Sequence, residues 1–259
     1  MKHFFVLGND DRFSLLSRIL EEKGYSVKRS VEKRAEDASC YIFSPGTSQE
    51  EIALLLKEAR EGSVFLCGRK SKGLSDEAKK KNVGLYSLFD DPRYLIKNSL
   101  ATAEGTLSEV IKGVGRTLPE LCILVCGYGN CGKAIADLFF LCGSEVWIHS
   151  HEASLLRAAQ DGYNEYPSFG ENLGMFDVIV NTVPAPIFED PFFDSLRPGT
   201  HFYQIASGFS GICAETLYQK GIVFHPLPGL PGRFAPETEA EAIFEFLQEI
   251  LKDQSYENQ

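Results

Sequence analysis

One stretch constrains this chain more than any other. Leu121-Cys-Ile-Leu-Val-Cys126 is an apolar run, Gly127-Tyr-Gly-Asn-Cys-Gly132 follows it, and a helical segment then leads into Ser144-Glu-Val-Trp-Ile-His149. A buried strand that enters a glycine turn, opens a helix and is followed by a second strand is the context a Gly-x-Gly-x-x-Gly dinucleotide fingerprint requires. Gly127 permits the tight turn, Gly129 lets backbone approach a pyrophosphate, and Gly132 lets helix pack closely on strand. Tyr128, Asn130 and Cys131 complete the turn, whose free N–H groups lie at the positive end of a helix dipole and suit phosphate. Glycine turns also serve strand–helix packing alone; the two flanking strands are what mark this one as a nucleotide site.

The end of the second strand bears on which nucleotide. NAD sites usually place Asp or Glu there, to accept hydrogen bonds from the ribose hydroxyls. Here the strand ends His149-Ser150-His151, with no carboxylate before Glu152. A hydroxyl and two imidazoles can donate to a 2′-phosphate that a carboxylate would repel. NADP is therefore the expected cofactor, with NAD as the alternative, and Arg157 lies one to two turns further on.

Composition narrows the class. At 259 residues and 44% hydrophobic, the chain can bury a substantial core without disulfides or metal. A net charge of −10 argues against nucleic acid and anionic membrane as partners. No apolar run approaches membrane-spanning length. The seven cysteines include no Cys-x-x-Cys pair and no zinc-like spacing, so no metal is expected. Cys40, Cys67, Cys122 and Cys126 fall in expected buried strands, where Cys serves as a small hydrophobe, and the expected compartment is the reducing cytoplasm.

Two α/β halves are expected. In the first, 1–98, short apolar strands at 3–7, 39–43, 63–67 and 83–86 alternate with helices at 12–23, 48–60 and 74–81, which implies a parallel sheet. Its first turn, Gly8-Asn-Asp-Asp-Arg12, has one glycine where the second half has three. This half reads as a Rossmann or flavodoxin-like domain for substrate or a partner. The second, 118–235, is the nucleotide domain, continuing with helices at 152–161 and 212–220 and strands at 176–181, 201–206 and 222–225. Segment 99–117 reads as a linking helix, with Leu107, Val110, Ile111 and Val114 on one face. A last helix, 236–252, starts at Pro236 with Glu237 and Glu239 in its first turn, and is expected to pack back on the first half. The fold class is α/β: two Rossmann-like, doubly wound parallel-sheet domains joined by two linking helices.

Several residues suit a site at the carboxyl ends of these strands. Asn181 ends a strand, and Thr182-Val183-Pro184 begins a constrained loop that can lie over a nicotinamide ribose. Ser207, between Ala206 and Gly208, leaves room for a carboxamide. Thr102 reads as the N-cap of the linking helix, with its hydroxyl toward a substrate carboxylate; Glu104 is then a candidate base if burial raises its pKa. Gly229-Leu230-Pro231-Gly232 reads as a stiff loop whose N–H groups form an anion nest, with Arg233 as a bidentate clamp. His225, at a strand end, is an alternative base. Each has a plainer reading: a proline-rich turn, a helix cap, a hinge, a packed histidine.

Three segments go further: Asn98-Ser-Leu-Ala-Thr-Ala-Glu-Gly105, Val180-Asn-Thr-Val-Pro184, and Pro226-Leu-Pro-Gly-Leu-Pro-Gly-Arg-Phe-Ala-Pro236. With the fingerprint, their order and spacing resemble the A-type subunit of bacterial dipicolinate synthase over nearly the whole chain, and Gly8–Arg12 looks like that family's opening turn. The resemblance implies oxidation of a cyclic dihydro- or tetrahydrodipicolinate precursor to pyridine-2,6-dicarboxylate, a small-molecule dicarboxylate substrate and a nicotinamide cofactor. It also implies the flavoprotein-like B-type subunit of dipicolinate synthase as partner and the mother cell of a sporulating bacterium; a homo-oligomer is expected. Glu237 stands where the family pattern has Lys, and 149–151 lacks the family's Arg. Two other functions fit the residues: another two-domain nicotinamide dehydrogenase for 2-hydroxy or amino acids, and a non-catalytic NADP-binding protein with a regulatory or assembly role.

Overall fold

The computed structural model describes residues 2–30, 38–170, 172–208 and 211–257. Contacts divide the chain into two compact units, Met1–Lys97 with Ala235–Gln259, and Asn98–Phe234.

The first unit contains β1 (His3–Leu7), α1 (Asp11–Glu22), β2 (Ser26–Ser30), β3 (Cys40–Phe43), α2 (Gln49–Glu58), β4 (Val64–Cys67), α3 (Lys72–Lys80) and β5 (Gly84–Ser87). α4 (Pro92–Val114) then crosses into the second unit. All five strands are parallel, in the order β2-β1-β3-β4-β5. That is the flavodoxin-like winding, with its switch point between β1 and β3. Alternation along the strands explains the two faces. Phe4, Val6, Ile42 and Leu66 pack on one side with Phe13, Leu16 and Leu20 of α1, and Phe5, Tyr41, Phe43 and Phe65 on the other with Ile52, Leu55 and Leu74. β2 is absent from the strands expected of this half: as an edge strand it is Ser-Val-Lys-Arg-Ser, with a single apolar residue.

The second unit continues with β6 (Cys122–Cys126), α5 (Asn130–Leu141), β7 (Glu145–His149), α6 (Glu152–Gln160), β8 (Asn164–Glu165), β9 (Val178–Asn181), α7 (Asp190–Asp194), β10 (His201–Gln204), α8 (Ala214–Gln219), β11 (Val223–Pro226) and α9 (Leu230–Phe234). α10 (Pro236–Glu257) follows and belongs to the first unit. There Ala240, Ile243, Phe244 and Leu247 join the cluster that holds α1. The six strands are parallel in the order β11-β10-β9-β6-β7-β8. From β6 the chain runs outward to β7 and β8, then returns to the other side of β6 for β9, β10 and β11. This is the dinucleotide-binding order, and its switch point lies between β6 and β9. Ile123, Val125, Val146 and Ile148 pack on one face with Ile135 and Phe139 of α5, and Leu155 and Ala158 of α6. Leu124, Trp147 and Ile179 face Phe188, Phe192 and Leu217 on the other. Both sheets are thus doubly wound, the fold class the residues implied.

α4 corrects one expectation. It is an unbroken helix of 23 residues that starts at Pro92, so Thr102 is not an N-cap. Its hydroxyl donates to Asn98 O four residues back (2.7 Å), and Thr106 repeats the pattern on Thr102 O (2.7 Å). A threonine with its hydroxyl satisfied by the preceding turn sits inside a helix at little cost.

Candidate functional site

The fingerprint turn sits at the switch point. Gly127 has φ +97°, a conformation open mainly to glycine. A side chain at Gly127 would stand 2.4 Å from Thr182 Oγ1, so the turn is pressed against the loop after β9. At Gly132 a Cβ would lie 2.1 Å from Gly127 O, so only glycine lets α5 close on the turn. Gly129 differs. Its φ of −89° suits any residue, and a Cβ there would meet nothing within 4 Å. The fold does not require glycine at 129, whose bare backbone is left open to a close-approaching ligand. Gly129 and Asn130 are exposed at the start of α5, where the first N–H groups have no helical partner. The residues present therefore fit a dinucleotide.

Three neighbouring residues brace this turn. Asn181 is fully buried; its Nδ2 donates to Gln204 Oε1 (2.8 Å) and to Val183 O (3.3 Å), and its Oδ1 accepts from Val183 N (3.0 Å). Both ends of the amide are spent on the loop, so Asn181 shapes it rather than offering a group to the ribose. Thr182 donates to Cys126 O (2.8 Å) and keeps its lone pairs. Tyr128 is also a correction: its ring is buried among Ile135, Phe139 and Tyr163, and its hydroxyl donates to Asp161 (2.6 Å). Only its backbone remains for a ligand. Val183 is half-buried beside Gly127, while Pro184 and Ser207 are exposed.

The motifs at 98–105 and 226–236 reach the same region. On α4, Ser99 Oγ lies 3.7 Å and Thr102 Oγ1 4.0 Å from Cys131 Sγ in the first turn of α5. One turn on, a Cβ at Gly105 would stand 3.2 Å from Leu230 and 3.3 Å from Phe234, both on α9. Gly105 is what lets α9 settle on α4. The expected anion nest is corrected here. Gly229, at φ +65°, turns the chain, and Leu230–Phe234 is then a helical turn in which Pro231 has no N–H and Gly232 is buried. Arg233 is exposed.

The two expected bases lie in different surroundings. Glu104 is exposed in the middle of α4. His225 stacks on Tyr203 (4.3 Å between ring centres) and its Nε2 lies 3.0 Å from His201 Nδ1. These rings face Gly113, which is 11 residues beyond Thr102 and so about 16 Å further along α4. Burial, then the neighbouring His201, lowers the His225 pKa. The pair is a stacked, half-buried element under the end of α4.

His149 closes β7 opposite Cys126, and its carbonyl accepts from Gly127 N (2.7 Å), which ties this residue to the fingerprint. Its ring stacks on Phe169 (3.8 Å), its Nδ1 lies 2.8 Å from Tyr166 O, and burial lowers its pKa. Ser150 is half-buried. His151 precedes α6, with Nε2 3.1 Å from Ser154 Oγ, which also accepts from Arg157 Nη2 (2.8 Å).

Among the described residues no cluster of His, Cys, Asp and Glu could hold a metal, and no helix is long and apolar enough to cross a membrane. No protein-family model matches the chain. The A-type subunit of dipicolinate synthase from Bacillus subtilis (strain 168) is 28% identical over 218 residues, 82% of this chain and 73% of that protein. The crystal structure of the same subunit from Bacillus halodurans superposes with a TM-score of 0.81 at 23% identity, over 96% of this chain and 98% of that one. NAD-dependent formate dehydrogenase from Staphylococcus aureus, solved in complex with NAD, shares the fold at a TM-score of 0.64 and 12% identity, over 98% and 96% of the two chains. The sequence match and the shared two-domain dehydrogenase fold together support the chain as a divergent member of the family of dipicolinate synthase A-type subunits.

Proposed function

We propose that this chain is a nicotinamide-dependent oxidoreductase that oxidises a cyclic dihydro- or tetrahydrodipicolinate precursor toward dipicolinate. The observation that carries the reading is the empty approach to Gly129 at the switch point of a dinucleotide-ordered sheet. A bound nicotinamide would accept the hydride. The protein's part is to hold the pyrophosphate on the N–H groups of Gly129–Gly132 and to fix the loop 182–184 against Gly127. Each round breaks one ring C–H bond, whose electron pair leaves with the hydride, and releases one proton as a ring double bond forms. Glu104 is the proposed proton acceptor, as the carboxylate on the α4 turn between Thr102 and Gly105. Arg233, exposed on α9, whose Leu230 and Phe234 pack at Gly105, is the proposed partner for a substrate carboxylate.

The same family relationship supports a B-type partner subunit, the cytoplasm and a sporulation role. Exposed Ile96, Leu100 and Ile111 on α4 support a homo-oligomer. The residue types at 149–151 favour NADP, whereas the fixed ring of His149 favours NAD. Incubation with the precursor and either dinucleotide tests the reading: reduced nicotinamide and dipicolinate should accumulate together. Dinucleotide binding without turnover of the precursor, but with turnover of a 2-hydroxy acid, would replace the substrate.

A further inference from the structure

We propose that His149 reads the 2′ position of the adenosine ribose as a hydrogen-bond acceptor, so that the site prefers NAD to NADP. The inference rests on the dinucleotide reading above and deepens it.

Tyr166 O is a backbone carbonyl and can only accept, so the ring nitrogen 2.8 Å from it, Nδ1, must carry the proton. In the neutral ring Nε2 is then left with a lone pair and no proton. Burial favours that neutral form. A half-turn flip of the ring would keep it on Phe169 but set a carbon against the Tyr166 carbonyl and lose that hydrogen bond, which holds the ring in this orientation. An acceptor at the end of β7 does for a ribose hydroxyl what a carboxylate does in the usual site, and it repels a 2′-phosphate. The residue type suggested a donor; the fixed tautomer makes it an acceptor.

Arg157 does not reverse this. Val146 and Ile148 of β7 pack with Leu155 and Ala158 of α6, whereas Trp147 packs on Tyr166 and Phe176, and His149 on Phe169. Alternation along the strand therefore places the His149 ring on the face opposite α6, the helix that carries Arg157. The guanidinium is also engaged with Ser154.

The test titrates the full chain with NAD and with NADP at about pH 8, where the imidazole is neutral. Binding is followed calorimetrically and by the emission of Trp147, the single tryptophan, two residues from His149. Loss of one good acceptor and gain of repulsion should make NADP weaker by about tenfold or more. His149→Asp should keep or widen the gap, and His149→Phe should close it toward equal affinity. Arg157→Ala should leave NADP affinity unchanged. Tighter NADP than NAD binding, or a gap that survives in His149→Phe, overturns the assignment while the dinucleotide reading stands. If NADP wins and Arg157→Ala abolishes the advantage, the arginine is the reader instead. Binding of neither dinucleotide refutes the underlying function, and this inference falls with it.

Discussion

Gly129 and Gly132 lie three residues apart in one turn, yet alanine at each should do opposite things. At 132 the new Cβ would stand 2.1 Å from Gly127 O and 2.8 Å from its carbonyl carbon, where real Cβ atoms essentially never come within 3.0 Å. The obstacle is backbone, so α5 must move by most of an ångström. Overpacking of this kind costs about 3 kcal/mol, the upper end for core insertions. Alanine returns about 1 kcal/mol of helix propensity, leaving a net loss of about 2 kcal/mol. For a chain of this size that lowers Tm by about 4–8 °C. At 129 the Cβ meets nothing within 4 Å and φ is ordinary, so Tm should stay within about 2 °C. The pyrophosphate, however, would meet the added methyl. Dinucleotide affinity should fall by about tenfold to a hundredfold, or roughly 1.4–2.8 kcal/mol. Thermal melts by circular dichroism and calorimetric titration of both variants separate the two effects. Gly129→Ala that binds as well as the natural chain would falsify the claim that ligand, not fold, demands this glycine.

Three further outcomes are expected. His149, His201 and His225 all have pKa values lowered first by burial, so the unfolded chain binds more protons as pH drops below about 6.5; stability should fall in that direction, by denaturant midpoints at pH 7.5 and pH 5.5, and a flat profile contradicts the burial account. Glu239 is fully buried and accepts from Tyr94 (3.0 Å) and Arg12 (3.4 Å); because Asp10 still holds Arg12 at 2.8 Å, Glu239→Ala should cost about 3 kcal/mol in a urea melt, near the lower end for a broken buried pair, and a loss under about 1 kcal/mol contradicts it. Cys213 is exposed and its thiol is lowered first by a hydrogen bond from the Thr216 backbone, while burial pushes Cys40 up to about 12; iodoacetamide followed by peptide mass mapping should find Cys213 first, and earlier labelling of Cys40 would mean the sheet opens.

Much of the architecture is legible in the residues because glycine spacing and strand alternation are local signals. Gly127, Gly129 and Gly132 announce the turn, and short apolar strands alternating with helices announce two parallel sheets. What escapes depends on partners distant in the chain. Threonine followed by Glu104 and Gly105 resembles a helix start, so the residues alone begin this helix near Thr102. α4 runs through because Thr102 bonds to the preceding turn and Gly105 receives α9 from more than a hundred residues away. His225 looks like a strand-end base, and only β10 pairing beside β11 reveals that Tyr203 and His201 enclose it. Asn181 and Tyr128 carry suitable groups, but Gln204, Val183 and Asp161 engage them. For His149 the deciding fact is the carbonyl of Tyr166, and no sequence pattern encodes which nitrogen it holds.

A dinucleotide and a pyridine dicarboxylate are the working ligands proposed for this fold. Calorimetric titration of the purified chain with NAD and with NADP, alone and then with dipicolinate present, tests that claim most directly. Dinucleotide binding should tighten when dipicolinate is added, because each ligand favours the same occupied site. Heat-silent titrations with both dinucleotides, with and without dipicolinate, would contradict it and leave a structural role in an assembly as the better account.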